Sequence, residues 1–106
     1  MPTISKQNKL ITLINVFTVP PDQQQEVVDL LLEATEKTMK HLPGFISASI
    51  HKSVDGVRVV NYAQWRSRED FEAMRNKPEA QQHMKPLLEI TTPDFHLYDV
   101  MDTVEV

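Results

Sequence analysis

Three side chains stand out for the chemistry they can do: Asn61 and Trp65, four residues apart, and Asn15. In an extended segment a four-residue spacing places Asn61 and Trp65 on one face, together with Val57, Val59 and Ala63. A primary amide among aliphatic side chains is costly to bury unless a protein group or a ligand bonds it. Asn15 repeats the situation beside Ile11, Leu13 and Phe17. Taken singly, each Asn is accounted for by a backbone group or a buried water. Two of them converging with an indole on one apolar face describe a pocket instead. Such a pocket suits a planar aromatic or quinone-like ligand. Amide N–H groups stabilise an oxygen that gains negative charge, and the indole supplies a stacking face and one N–H donor.

Other familiar chemistry lacks its residues. There is no cysteine, which excludes disulfides, thiolate metal sites, iron–sulfur clusters and a cysteine nucleophile. The only glycines, Gly44 and Gly56, are too far apart to build a phosphate-cradling loop or a dinucleotide fingerprint. His41, His51, His83 and His96 show no metal-ligand spacing, so no metal site is expected. His83 is the one histidine placed on an inward helical face, with Ala80 and Leu87, where it is a candidate general base or axial ligand. Phe71, Met74 and Met84 read as pocket wall or core. No serine has a nucleophile-elbow context, and no paired carboxylates suggest a glycosidase or aspartic protease.

The elements that must position these residues follow from the hydrophobic pattern. Residues 10–19 read as a first strand, stopped by Pro20 and Pro21. Pro21 suits a first helical position, and Val28, Leu31, Leu32, Thr35, Met39 and Leu42 recur on one face of a helix ended by Leu42-Pro43-Gly44. A second strand over 45–53 places Phe45, Ser47, Ser49 and His51 on one side and Ile46, Ala48 and Ile50 on the other. Asp55-Gly56 predicts a hairpin into a third strand over 57–66. Ser67 with Asp70 three residues on predicts a capped second helix, restarted at Pro78 and limited by Pro86. A last strand is expected over 95–104. The order β-α-β-β-α-β is the ferredoxin-like α+β arrangement, a four-stranded antiparallel sheet with helices on one face. The first and third strands are neighbours in it, which brings the two Asn to one cavity. The other sheet face, with Val60, Tyr62 and Gln64, is expected to be bare, and a homodimer is predicted to cover it.

The chain has 106 residues, 41% of them hydrophobic and 25% charged, which fits one globular domain over 9–106 behind a polar, frayed segment at 1–8. The net charge of −4 is concentrated late: residues 86–106 carry Glu89, Asp94, Asp99, Asp102 and Glu105 and no Lys or Arg. That is the wrong sign for nucleic-acid binding and suits a solubilised sheet edge. The longest uncharged run, Leu10–Pro21, is too short to span a bilayer, and no signal-peptide pattern is present, so a cytoplasmic protein with no membrane partner is expected.

The stretches His41-Leu42-Pro43-Gly44-Phe45, His51-Lys52-Ser53-Val54-Asp55-Gly56, Asn61-Tyr62-Ala63-Gln64-Trp65-Arg66-Ser67 and Asp70-Phe71 closely resemble the antibiotic biosynthesis monooxygenase family, over about residues 10–104. The resemblance implies a dimeric α+β barrel of ferredoxin-like subunits. It implies a monooxygenase that oxidises aromatic phenols or quinols with O2 and no cofactor, the substrate losing a proton and giving an electron to oxygen. Asn61 and Trp65 match the asparagine and tryptophan that hold and activate substrate and oxygen in such enzymes. Asn15, Phe71, Met74, His83 and Lys85 complete the expected pocket. Phe71 stands where those enzymes have a tyrosine, and Lys85 falls near a later arginine. Related members degrade heme, with His83 near their iron ligand and Asn15 resembling their strand-one asparagine. That reading, with heme as cofactor, and a non-catalytic small-molecule binding module are the alternatives.

Overall fold

The structure, a computed structural model, describes residues 10–106; the segment expected to fray at 1–8 lies outside them. Four strands, β1 (Ile11–Thr18), β2 (Phe45–Lys52), β3 (Arg58–Trp65) and β4 (Thr92–Tyr98), form one antiparallel sheet in the order β2-β3-β1-β4. Three helices, α1 (Gln24–Lys37), α2 (Arg68–Arg75) and α3 (Pro78–Ile90), complete the β-α-β-β-α-β order, the second helical segment being split at Pro78 as the sequence predicts. The core lies between sheet and helices: Phe17 of β1 and Val59 of β3 pack with Val27 and Leu31 of α1 and Leu87 of α3, all nearly inaccessible to water.

The helix after β1 is shorter and turned differently from expectation. A 3-10 turn at Pro21–Gln23 leads into α1, which stops at Lys37 and gives way to a second 3-10 turn at Met39–His41. Once the winding tightens, a 3.6-residue phase cannot be carried through to Leu42. The buried stripe is Val27, Leu31 and Ala34, while Leu32 is 45% exposed. Glu26 in the first turn and Lys37 in the last suit the helix dipole.

Strand β2 departs from simple alternation. Phe45 lies opposite Trp65, but Ser47 lies opposite the next residue, Gln64, so Ile46 is an extra residue in a β-bulge. The bulge moves Phe45 to the face of Ala48 and Ile50, not the face of Ser47 and Ser49 where period-two reading put it. Its ring consequently meets Trp65 edge-on, with centroids 5.4 Å apart.

Ser67 caps α2 as predicted. Its Oγ accepts from the Asp70 backbone N–H (3.1 Å) and donates to Asp70 Oδ2 (2.9 Å). Arg66 adds a fork of two bonds to the same carboxylate, 2.8 and 3.0 Å. The Arg66 guanidinium and the Ser67 hydroxyl hold the Asp70 carboxyl below the usual carboxylate range. Their contribution to stability is therefore present above that range and is lost as pH falls through the lowered value.

Pro86 does not end α3, which runs to Ile90. The proline leaves the Gln82 carbonyl without its helical donor, but both residues are exposed, so the carbonyl is open to solvent rather than buried and orphaned. Strand β4 then begins three residues earlier than expected and ends at Tyr98. The Thr91 hydroxyl donates to the Thr18 carbonyl (2.6 Å), delivering the chain to the end of β1 so that pairing starts at Thr92. By Tyr98, opposite Thr12, β1 has almost run out. Asp99, Asp102 and Glu105 accordingly lie beyond the edge strand rather than on it, and only Asp94 of the late acids is in β4.

The sheet face away from the helices is less bare than expected. β1 and β3 are the inner strands, so their outward side chains are flanked on both sides. Ile14, Val16, Val60 and Tyr62 are half-buried, and Thr12 and Gln64 are each only 1% exposed. Ser47, Gln64 and Thr12 form one row across β2, β3 and β1. The Thr12 and Ser47 hydroxyls and both ends of the Gln64 amide have no hydrogen-bond partner among the described residues. Among the described residues no helix is long and apolar enough to cross a membrane.

Candidate functional site

A cavity of about 290 Å³ lies between the sheet and the three helices. Its floor comes from the inward faces of β1 and β3, where Asn15 lies directly opposite Asn61 and, on its other side, opposite Phe95 of β4. The alternation that points Leu13, Asn15 and Phe17 inward also points Asn61, Ala63 and Trp65 inward, so the two amides arrive together by register alone. Asn15 is 8% exposed, and the carbonyl oxygens of both side chains are buried with no hydrogen-bond partner. Two unpaired acceptors in a largely apolar chamber cost stability, and an occupant with O–H groups relieves that cost.

The wall is aromatic. From Phe45 the rings step to Trp65, from Trp65 to Phe71 at 6.1 Å, and from Phe71 to Phe95 at 5.8 Å, each meeting edge to face. Such contacts fix the orientation of each ring and leave flat apolar surface toward the cavity. Trp65 and Phe71 are 2% and 3% exposed and are held as rigidly as core residues.

Of the residues singled out from sequence, Asn15, Asn61, Trp65, Phe71 and Met74 line the cavity; His83 and Lys85 do not. The reason is helical phase. At about 100° per residue, Ala80, Gln81, Met84 and Leu88 form the face of α3 that meets the cavity. His83 sits across the Ala80–Leu87 line on the opposite flank, and Lys85 lies past the Gln81 edge in solvent. Sharing a face with Ala80 and Leu87 places a residue near the core but not in the chamber. His83→Ala is therefore expected to leave turnover within about twofold of the unmodified protein, measured as initial rates. A loss of tenfold or more would return the histidine to the site.

Among the further lining residues that the sequence does not single out, four bear on the character of the site. Phe45 was hidden by the bulge and Phe95 by the displaced start of β4. Gln81 lies on the face of α3 that was misjudged. Arg75 was legible in principle, since it stands one helical turn after Phe71 and shares its face. Its guanidinium lies 4.8 Å from the Phe95 ring centre and 5.9 Å from that of Phe71.

A family model described as antibiotic biosynthesis monooxygenase matches residues 10–86. The tetracenomycin-F1 monooxygenase of Streptomyces glaucescens is 48% identical over 93 residues, 88% of this chain and 83% of that protein. Among solved structures, a monooxygenase from the ActVA-Orf6 gene of Streptomyces coelicolor, in complex with nanaomycin D, superposes with a TM-score of 0.85 at 24% identity, covering 94% of this chain and 95% of that one. SnoaB, a cofactor-independent oxygenase from Streptomyces nogalater, gives a TM-score of 0.76 at 23% identity, covering 91% of this chain and 97% of that one. At these identities the two structures speak to the fold, the α+β sheet-and-helix arrangement described above.

Proposed function

The chain belongs to the antibiotic biosynthesis monooxygenase family and is a monooxygenase, and from that premise we propose that it oxidises an electron-rich aromatic phenol or quinol with O2, with no metal, flavin or heme taking part. The observation that carries this reading is the facing pair of amides whose buried carbonyl oxygens lack a partner among the described residues, in an aromatic chamber. A phenolic O–H donates to an Asn carbonyl oxygen on binding. Rotation of the amide exchanges its ends, so the same side chain donates N–H to the phenolate once the proton has left. Among the described residues no carboxylate or imidazole lines the cavity, so water is the base that takes the proton. Trp65 and the rings beside it hold the aromatic plane, and the apolar space left over admits O2, which is small and apolar.

The reaction balances without an external reductant. The phenolate gives one electron to O2, and the two resulting radicals combine into a peroxide on a ring carbon. Loss of water from that carbon leaves a carbonyl. One oxygen atom becomes the second carbonyl of a quinone, the other becomes water, and the substrate supplies all the electrons. The 48%-identical tetracenomycin-F1 monooxygenase and the oxygenase described as cofactor-independent support this reading. The heme alternative fits poorly: an iron porphyrin held through an imidazole needs a histidine in the cavity, and none lines it. Oxygen uptake with a panel of hydroxynaphthalenes and hydroquinones tests the proposal. Consumption in the presence of a chelator, lost in Asn61→Ala, supports it. Tight binding of every compound without uptake contradicts it and favours a binding module.

We infer further that the protein is a homodimer formed through the outer sheet face. The half-buried Ile14, Val16, Val60 and Tyr62 give that face apolar area for a second copy to cover. Sedimentation at micromolar concentration is expected to give twice the chain mass; a single-chain mass overturns this inference.

A further inference from the structure

We propose that Arg75 makes the cavity selective for aromatic substrates carrying a carboxylate at the end opposite the reacting hydroxyl, an inference that rests on the reading that a phenol occupies the cavity.

Among the described residues, Arg75 is the one charged side chain lining the chamber. Asn15 is almost wholly buried, whereas the Arg75 side chain is 47% exposed, so the chamber has a neutral polar floor and a cationic mouth. The guanidinium is held over Phe95, whose backbone neighbour across the sheet is Asn15. One aromatic residue thus separates the amide floor from the cation. A flat substrate with its hydroxyl at Asn15 and Asn61 extends along that ring toward the guanidinium.

The side chain is positioned but not used up. Cation–π contact with the Phe95 and Phe71 rings holds it near the aromatic wall. The Gln81 amide donates to the Arg75 backbone carbonyl (3.1 Å), pinning the junction of α2 and α3 from which it projects. Among the described residues its side-chain ion pairing is one contact to Glu72 at 3.4 Å, with both groups about half exposed. Such a pair is weak and screened. It leaves most of the guanidinium N–H donors free to grip a carboxylate through two parallel bonds, the geometry that arginine offers and lysine does not. The chain is acidic overall, so an anionic ligand needs a local cation to approach the mouth. Lys85, where the family resemblance places a cation, does not line the cavity.

Calorimetric titration with 2-naphthol and with 6-hydroxynaphthalene-2-carboxylate at neutral pH tests this. The two probes share ring and hydroxyl and differ in the carboxylate at the far end. The acid is expected to bind about tenfold more tightly than the phenol. Arg75→Gln is expected to abolish that preference, the ratio of the two affinities falling to about one, and Arg75→Lys to keep only part of it. Glu72→Gln, which removes the competing carboxylate, is expected to preserve or increase it. Equal affinity of the two probes for the unmodified protein overturns the proposal, as does a preference that survives Arg75→Gln. If neither probe binds, the aromatic reading of the cavity falls and this inference with it. If both bind equally, only the role of Arg75 falls.

Discussion

Asn61→Ala is expected to lower kcat/KM for a phenolic substrate by about two to three orders of magnitude, the loss typical when one preorganised donor to a developing oxyanion is removed. The same substitution is expected to leave the melting temperature unchanged or raise it. The second half of this expectation separates function from structure. Buried amides that serve the fold are satisfied by it, and their removal exposes a stranded partner. Asn61 strands nothing: its carbonyl oxygen is buried without a partner, as is that of Asn15 opposite it. An alanine removes an unsatisfied polar group from an apolar chamber, which relieves desolvation cost. Steady-state rates and a thermal melt on the same preparation decide the matter. Full activity would remove Asn61 from the mechanism. A large fall in melting temperature would make the amide a structural one.

The second large effect is on folding. Gly44→Ala is expected to destabilise the protein by about 3 kcal/mol, lowering the melting temperature by roughly 10–20 °C. Gly44 has φ +86°, a backbone region that costs an L side chain energy by itself. A Cβ there would also fall inside van der Waals contact of Asp70 Cβ and Cγ. Asp70 cannot move away cheaply, because the Arg66 fork and the Ser67 hydroxyl hold its carboxylate. The Gly44 carbonyl accepts from the Arg66 N–H at 2.7 Å, so the backbone on the glycine's side is tied down as well. The contact matters to the cavity because Phe45 follows directly and its ring braces Trp65. Gly56→Ala is the matched control. Its φ of +85° is nearly the same, but the nearest atom to an added Cβ is Pro21 Cβ at 4.0 Å. It is expected to cost only about 1 kcal/mol, the conformational part alone. Equal losses from the two substitutions in chemical denaturation would contradict the steric argument at Gly44.

These two glycines illustrate what a sequence of this kind discloses. Their punctuating roles, after the first helix and in the hairpin, were legible because turn chemistry is local. So were the capping box at Ser67 and Asp70, the restart at Pro78, and the strand alternation that sends Asn15, Asn61 and Trp65 to one face. The illegible features depend on partners distant in sequence. The bulge at Ile46 exists because β2 must stay in register with β3 while bringing Phe45 onto Trp65; period-two counting along β2 alone puts Phe45 on the wrong side. Pro86 looks like a stop, yet helix and solvent together tolerate it where the orphaned carbonyl is exposed. Strand β4 starts where Thr91 meets Thr18, a contact spanning most of the chain. His83 shares a face with buried residues, but only the packing of α3 against the sheet decides which flank borders the cavity. The same packing brings in Arg75, whose chemistry is plain in the sequence while its address is not.

The central claim is that substrate electrons alone reduce O2 in this chamber. It is tested most directly by incubating chelator-treated protein, with no flavin or heme added, with a phenol that the cavity binds, under heavy-isotope dioxygen. Rapidly quenched product is then weighed. The account predicts a quinone carrying one heavy oxygen atom, the other heavy atom in water, and one molecule of product for each molecule of O2 consumed. Product without label, or oxidation that returns only when a metal or flavin is restored, would contradict it.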